Sequence, residues 1–263
     1  EKRYDDAIAA FRKVIKDYPK CELLDQSTLN LGIASYGRAQ KSGKDNDYQK
    51  AERAFGQMLA RFSDSEYAAR ALYYRGECLY QLKQTRQAAA AYEQFSNKYP
   101  DHELAPDAIY ALGTAQETLK QPEKALASFS TFASKFPENE LVTEVQMRRG
   151  EILFDTGEFA EANPVFEAVS AKRDFELADV AMLRNARCLY ELGRVNEAAK
   201  LYWNVPREFK KTKHYDAAIL AGLNNPPLTE PHTGSFIIDP DVITPILRKT
   251  GSFTSRRSDA TDD

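Results

Sequence analysis

Apolar residues in the first nineteen positions return at intervals of three and four. Tyr4, Ala7, Ile8, Phe11 and Ile15 fall on one side of a helix, with charged residues filling the other. This rhythm recurs with fixed landmarks. An alanine is followed four residues later by an aromatic at Ala7/Phe11, Ala51/Phe55, Ala88/Tyr92, Ala125/Phe129, Ala162/Phe166 and Ala198/Tyr202, with alanine spacings of 44, 37, 37, 37 and 36. Twelve residues after each alanine stands Pro19, Ser63, Pro100, Pro137, Asp174 or Lys210, and twelve before four of them stands Gly76, Gly113, Gly150 or Ala186. In the repeat holding Gly32 the glycine lies nineteen before Ala51, so seven residues are inserted there. Landmarks that keep one register over so long a stretch are the signature of a repeat architecture.

Each repeat predicts two antiparallel helices, A and B. In one, helix A runs from about Glu66 to Leu82 and helix B from Arg86 to Tyr99. The landmark glycine costs helix A about 1 kcal/mol of propensity, which close packing must offset. The expected packing brings the two backbones together, with the alanine of helix B facing the glycine and the aromatic beyond it. Proline closes helix B, because it lacks the amide donor and crowds the preceding turn. Gly157 and Gly193 suit the left-handed turn between A and B. The insertion, from Gly37 to Asp47, is mostly polar and predicts a projecting loop. Helix B of the opening half repeat should leave Ile8, Phe11 and Ile15 exposed where a helix A of its own would lie.

The resulting fold class is all-α: an α-solenoid, a right-handed superhelix of antiparallel helix pairs. The array covers 1–225 as a half repeat, five full repeats of about 37 residues and one further helix near Tyr215 to Leu223. Residues 226–263 form a Pro/Ser/Thr-rich tail with apolar clusters at Phe236–Ile238 and at Val242, Ile243, Ile246 and Leu247. It reads equally as a linker or as a segment that docks.

These landmarks resemble the tetratricopeptide repeat, with its Leu-Gly pair, alanine, aromatic and proline. Leu31-Gly32 and Leu112-Gly113 match the pair, whereas Arg precedes Gly76 and Gly150. The family's helix-A Trp is absent, and its tyrosine three after the glycine is replaced by Leu79, Gln116, Leu153 and Leu189. The longer period places three extra residues after the proline, in a longer helix A or a longer link between repeats. That variant, with a Phe11-x6-Tyr18-Pro19 ending, resembles bacterial cell-envelope members, of the type of the TolA-binding periplasmic protein and the lipoprotein subunit of the β-barrel assembly machine. The resemblance implies a periplasmic or outer-membrane-associated setting, reached through a partner or an N-terminal anchor upstream of Glu1.

Composition narrows the function. Thirty-six basic against 39 acidic residues give a net charge of −3, so nucleic acid is not an expected partner. Three cysteines form neither a disulfide framework nor a metal cluster by spacing. Cys78 and Cys188 share one helix-A slot three repeats apart and read as small buried apolar residues; Cys21 stands at a repeat boundary. Gly37 to Asp45 mimics a phosphate loop, but it has one residue too many between its glycines and Asp45 where a hydroxyl is required. His102, His214 and His232 stand far apart and outside any His-Glu-x-x-His pattern. No glutamate is followed by serine, as the catalytic Glu is in helical lytic transglycosylases. No catalytic residue, metal or cofactor is expected.

In such an array helix A lines the concave side. Counting from each landmark glycine, the partner-binding groove is predicted to hold Tyr36, Tyr73, Glu77, Tyr80, Tyr110, Glu117, Glu151, Phe154, Asp155, Arg187, Tyr190 and Glu191. About a third of the groove face serves helix packing by this reading. The expected function is a non-enzymatic protein–protein interaction scaffold for segments presenting basic and apolar groups. The rival readings are a glycan or peptidoglycan binder and the sensor or adaptor part of a larger enzyme.

Overall fold

The computed structural model describes residues 2–210 together with Ala218 and Gly222. The tail 226–263, most of the helix expected near Tyr215, His214 and His232 lie outside the described residues. Among the described residues there are eleven helices and no strand. They are α1 (Lys2–Asp17), α2 (Leu24–Ser42), α3 (Asp45–Arg61), α4 (Ala68–Gln81), α5 (Thr85–Lys98), α6 (Ala105–Thr118), α7 (Pro122–Lys135), α8 (Val142–Asp155), α9 (Phe159–Ser170), α10 (Ala178–Glu191) and α11 (Val195–Glu208). The chain forms two compact units, an N-terminal one (Glu1–Val145) and a C-terminal one (Gln146–Asp263), divided inside α8. In the N-terminal unit α1 to α6 each pack on the next helix along the chain; in the C-terminal unit α10 packs between α9 and α11. Each unit is therefore a stack of antiparallel helix pairs, the arrangement of an α-solenoid.

What lies over the landmark glycine differs from expectation. The aromatic ring of helix B, rather than its alanine or backbone, is seated there. A methyl group built on Gly32 would come within 2.5 Å of the Phe55 ring, on Gly76 within 2.6 Å of Tyr92, on Gly113 within 2.5 Å of Phe129 and on Gly150 within 2.7 Å of Phe166. Phe55, Phe129 and Phe166 are completely buried, so they have nowhere to retreat. Where α10 carries Ala186 instead, the ring above it is Tyr202, in the same buried cluster.

The 37-residue period resolves into two 14-residue helices, a three-residue turn and a six-residue link. The extra residues thus belong to the link and not to helix A. Four of the links are closed by one residue whose side chain accepts the amide two positions on; in the link between α9 and α10 that place is held by Phe175, which has no acceptor. His102 Nδ1 accepts from Leu104 N–H at 3.0 Å, Asn139 Oδ1 from Leu141 at 2.9 Å and Ser65 Oγ from Tyr67 at 3.1 Å. Cys21 fills the same place, its Sγ 3.4 Å from Leu23 N, which accounts for a thiol at a repeat boundary. Cys78 and Cys188 are fully buried, as expected, and burial pushes the Cys188 thiol up to about 11.

Four of the turns between A and B are of one kind, the Gly43-Lys44 turn between α2 and α3 being the exception. The amide of Gln84 returns to Leu79 C=O and that of Lys83 to Tyr80 C=O, with the same pair of bonds at Lys120, Gly157 and Gly193. This is the double hydrogen bond of a Schellman closure, which needs a left-handed residue. Gly157 and Gly193 supply it at φ of 82° and 75°; Lys83 and Lys120 are forced into it at 60° and 57°.

The seven-residue insertion does not project as a loop. It lengthens α2 to 19 and α3 to 17 residues and leaves only Gly43-Lys44 between them. Ala39 is fully buried in this extension. Asp47 ties the two helices together by accepting from Ser42 Oγ at 2.8 Å and pairing with Arg38 at 3.0 Å. The Ser42 hydroxyl first, then Arg38 and Lys50, hold the Asp47 carboxyl below its ordinary value against its burial. Polar composition misled because these residues satisfy one another across the helix pair. At the start of the chain, likewise, Ile8 is not exposed: α2 covers it to 3% accessibility, while Phe11 and Ile15 are half-buried.

Two stability predictions follow from this packing. Gly113→Ala should cost about 1–3 kcal/mol by forcing the Phe129 ring out of its seat, and Phe129→Leu in the same chain should recover part of the loss. Hydrogen exchange should show the loosening confined to α6, α7 and their immediate neighbours. Lys120→Gly should gain about 1 kcal/mol by relieving the left-handed conformation, and Gly193→Ala should lose a similar amount; thermal melts of the two variants read both signs.

Candidate functional site

Helix A presents one face at intervals of three and four residues, and in the N-terminal unit that face gathers tyrosines around a carboxylate. Seating the Tyr92 ring over Gly76 carries its hydroxyl past the glycine to the next residue, where it donates to Glu77 Oε1 at 2.6 Å. The Tyr36 hydroxyl reaches the other oxygen at 3.4 Å. Tyr73 packs edge-on to Tyr74 and Phe95, with ring centres 5.3 and 6.2 Å apart, and Tyr36 lies against Tyr74 at 5.5 Å. Between α4 and α6 these groups leave a cleft of about 340 Å³ whose lining includes Tyr73, Glu77, Tyr80, Asp107, Tyr110 and Thr114.

The electrostatics of the cleft are governed by burial. It raises the Glu77 carboxyl above the ordinary carboxylate value, against the bonds from Tyr92 and Tyr36 and with a contribution from Asp107. Asp107 is raised for the same reason, aided by Glu140. The hydroxyls of Tyr36, Tyr73 and Tyr92 are driven up by burial and then by Glu77, so they remain protonated donors. At the rim, the Tyr110 hydroxyl donates to Glu144 at 2.5 Å, and the hydroxyls of Tyr80 and Thr118 meet at 3.3 Å. Glu77 and Asp107 pair with no cation among the described residues. A half-buried carboxylate in that condition favours an incoming positive group.

The expected groove residues therefore divide. Tyr73, Glu77, Tyr80 and Tyr110 line one cleft. Tyr36 is buried behind it as packing, and Glu117 is half-buried on α6, outside the cleft lining. Glu151, Phe154, Asp155, Arg187, Tyr190 and Glu191 belong to the C-terminal unit, where charge is largely balanced within the chain. Arg184 Nε donates to Glu151 at 2.9 Å and its guanidinium lies 4.7 Å from the Phe154 ring centre. Arg187 pairs with Glu191 at 2.5 Å and stacks over Tyr190 at 5.2 Å. Asp155 is exposed. Glu77 and Glu151 hold the same register position, one after the glycine, and what separates them lies in the following repeat. Arg184 stands two before Ala186, while the matching position two before Gly113 is Ala111, which lines the cleft.

Sequence reasoning passed over Asp107 and Tyr92. Asp107 lies three before Tyr110 on the same helical face, a turn further from the landmark glycine than the expected groove positions. By spacing Tyr92 reads as the packing aromatic, although its hydroxyl distinguishes it from Phe55, Phe129 and Phe166. Among the described residues no group of three or more His, Cys, Asp or Glu is placed to hold a metal, and no helix is long and apolar enough to cross a membrane.

Comparison with known proteins bears on the family. A model of the tetratricopeptide repeat-like domain matches residues 24–172 and again 80–217, and a tetratricopeptide repeat model matches residues 1–20. No curated protein matches the chain in sequence. Among solved structures, YrrB, a TPR protein with an unusual peptide-binding site, is similar with a TM-score of 0.58 at 20% identity, over 82% of this chain and 96% of that one. MamA is similar with a TM-score of 0.58 at 16% identity, covering 72% and 96%. The pilF protein of Pseudomonas aeruginosa has a TM-score of 0.53 at 17% identity, covering 83% and 90%. At these identities the likeness is one of fold. With the family models matching most of its length, the chain belongs to the tetratricopeptide repeat family.

Proposed function

We propose that this protein is a non-catalytic scaffold that grips a segment of another protein on the helix-A face of α4 and α6. The observation that carries the reading is the tyrosine-walled cleft whose two carboxyls, Glu77 and Asp107, lack a cation. A segment presenting Lys or Arg beside apolar side chains supplies the missing charge and covers the rings. Apolar contact carries most of the affinity, and a single peptide should bind with Kd of about 1–50 μM. The family fold supports interaction with proteins or peptides in general; the basic, apolar character of the segment is inferred from the cleft. The array 1–225 is the binding part in this proposal, and a bacterial-envelope setting rests on the Phe11-x6-Tyr18-Pro19 repeat ending alone.

A peptide matching Ser235 to Arg257, in which Ile243, Ile246 and Leu247 precede Arg248-Lys249, is a suitable probe for titration into the full chain. Glu77→Gln with Asp107→Asn should weaken it about tenfold. Ala111→Arg, which installs the cation that Arg184 provides elsewhere, should block the cleft from within. Unchanged affinity in both variants would sink the proposal.

A prediction about pH accompanies this. Glu77 takes up a proton more readily in the fold than in the unfolded chain, so its contribution to stability is present at low pH and is lost as pH rises through its raised value. Binding of a cationic segment should run the opposite way, weakening as pH falls through that same value. Glu77→Gln should accordingly raise the melting temperature at neutral pH while reducing affinity, and should flatten both pH profiles.

A further inference from the structure

The first three helices carry a second feature, chemically the reverse of the first. Leu31 looks into a cleft of about 790 Å³ that α2 floors and α1 and α3 wall. The walls are basic: Arg12 and Lys16 on α1, and Lys50, Arg53 and Arg61 on α3, with no acidic residue in the lining. Nearby carboxylates are engaged elsewhere. Asp47 holds Lys50 and Arg38, at 3.4 and 3.0 Å, and Glu52 turns to Arg75 at 2.8 Å. Arg61 donates to the Pro19 carbonyl at 3.1 Å and lies over the Phe62 ring. Arg12, Lys16 and Arg53 are exposed and have no acidic partner among the described residues.

The floor argues about the kind of anion. Thr28 Oγ1 donates to Leu24 C=O at 2.6 Å and Ser35 Oγ to Leu31 C=O at 2.7 Å, so both hydroxyls are turned into their own helix. What remains toward the cleft is the aliphatic surface of Ile15, Leu31 and Ala54. A bare phosphate would find charge at the walls and no donors beneath. A peptide with apolar side chains flanked by carboxylates matches both. Lys50, Arg53, Gln57 and Arg61 form one stripe on α3, about 16 Å long at 1.5 Å per residue, the length of three turns of helix.

We infer that the α1–α2–α3 face is a second docking surface, for an acidic, amphipathic segment of a partner protein. It shares no lining residue with the cleft at Glu77 and has the reverse charge preference, so the scaffold addresses two unlike segments. The probe is a labelled twelve-residue helical peptide of glutamates with leucines at i and i+4, titrated into the full chain. Arg12→Glu with Arg53→Glu should weaken it by about tenfold or more, raised salt should weaken it too, and Leu31→Gln should cost affinity at unchanged salt dependence. Neither the double arginine variant nor Leu31→Gln should alter binding of the Ser235–Arg257 peptide, which keeps this test distinct from that of the Glu77 cleft. The substituted arginines are exposed, and an unchanged melting temperature verifies the fold. An all-glutamate peptide that binds as tightly, or inorganic phosphate that displaces the probe at equal charge, would reduce the face to a general polyanion attractor and overturn the inference. Stronger capture by phosphatidylserine vesicles than by the peptide would overturn it in favour of a membrane surface.

Discussion

The structure depends on a ring laid across a glycine. In four of the helix pairs an aromatic from the second helix occupies the space that a side chain on the first would need, at 2.5 to 2.7 Å from where a methyl would stand. Burying such a ring is worth about 1.5–3 kcal/mol, more than the propensity that glycine forfeits in a helix. Because the same contact recurs in these four pairs, it sets how the second helix of each sits on its first. The left-handed turns and the capped links then have only to return the chain, which is why Lys83 and Lys120 are tolerated where glycine would be more comfortable.

The candidate site is a by-product of that contact. A phenylalanine seated on the glycine ends in apolar packing; a tyrosine seated there ends in a hydroxyl one residue further on. At Gly76 the next residue is Glu77, and Tyr92 meets it at 2.6 Å. The packing rule is thus common to the repeats, and the chemistry is local to the one where a tyrosine and a glutamate coincide. Charge follows the same logic in the two clefts. In one, burial leaves Glu77 and Asp107 short of a cation; in the other, Asp47 and Glu52 are drawn into pairs across the helices and leave Arg12, Lys16 and Arg53 facing solvent.

Helix positions outside the Gly37–Asp47 stretch, the left-handed turns at Gly157 and Gly193, the prolines beyond helix B and the burial of Cys78 and Cys188 are legible in the sequence. Each depends on residues within a turn or two, or on periodicity, and those are local properties. Tertiary structure decided what spacing cannot carry. The polar stretch from Gly37 to Asp47 became helix because Asp47 found Ser42 and Arg38 across the pair. The glycine's partner proved to be the ring and not the alanine, since only the angle between two helices fixes which side chain reaches it. Register alone made Glu77 and Glu151 equivalent. They differ because a residue more than thirty positions away is Arg184 in one case and Ala111 in the other, and only packing of successive repeats brings that difference to bear on the carboxylate.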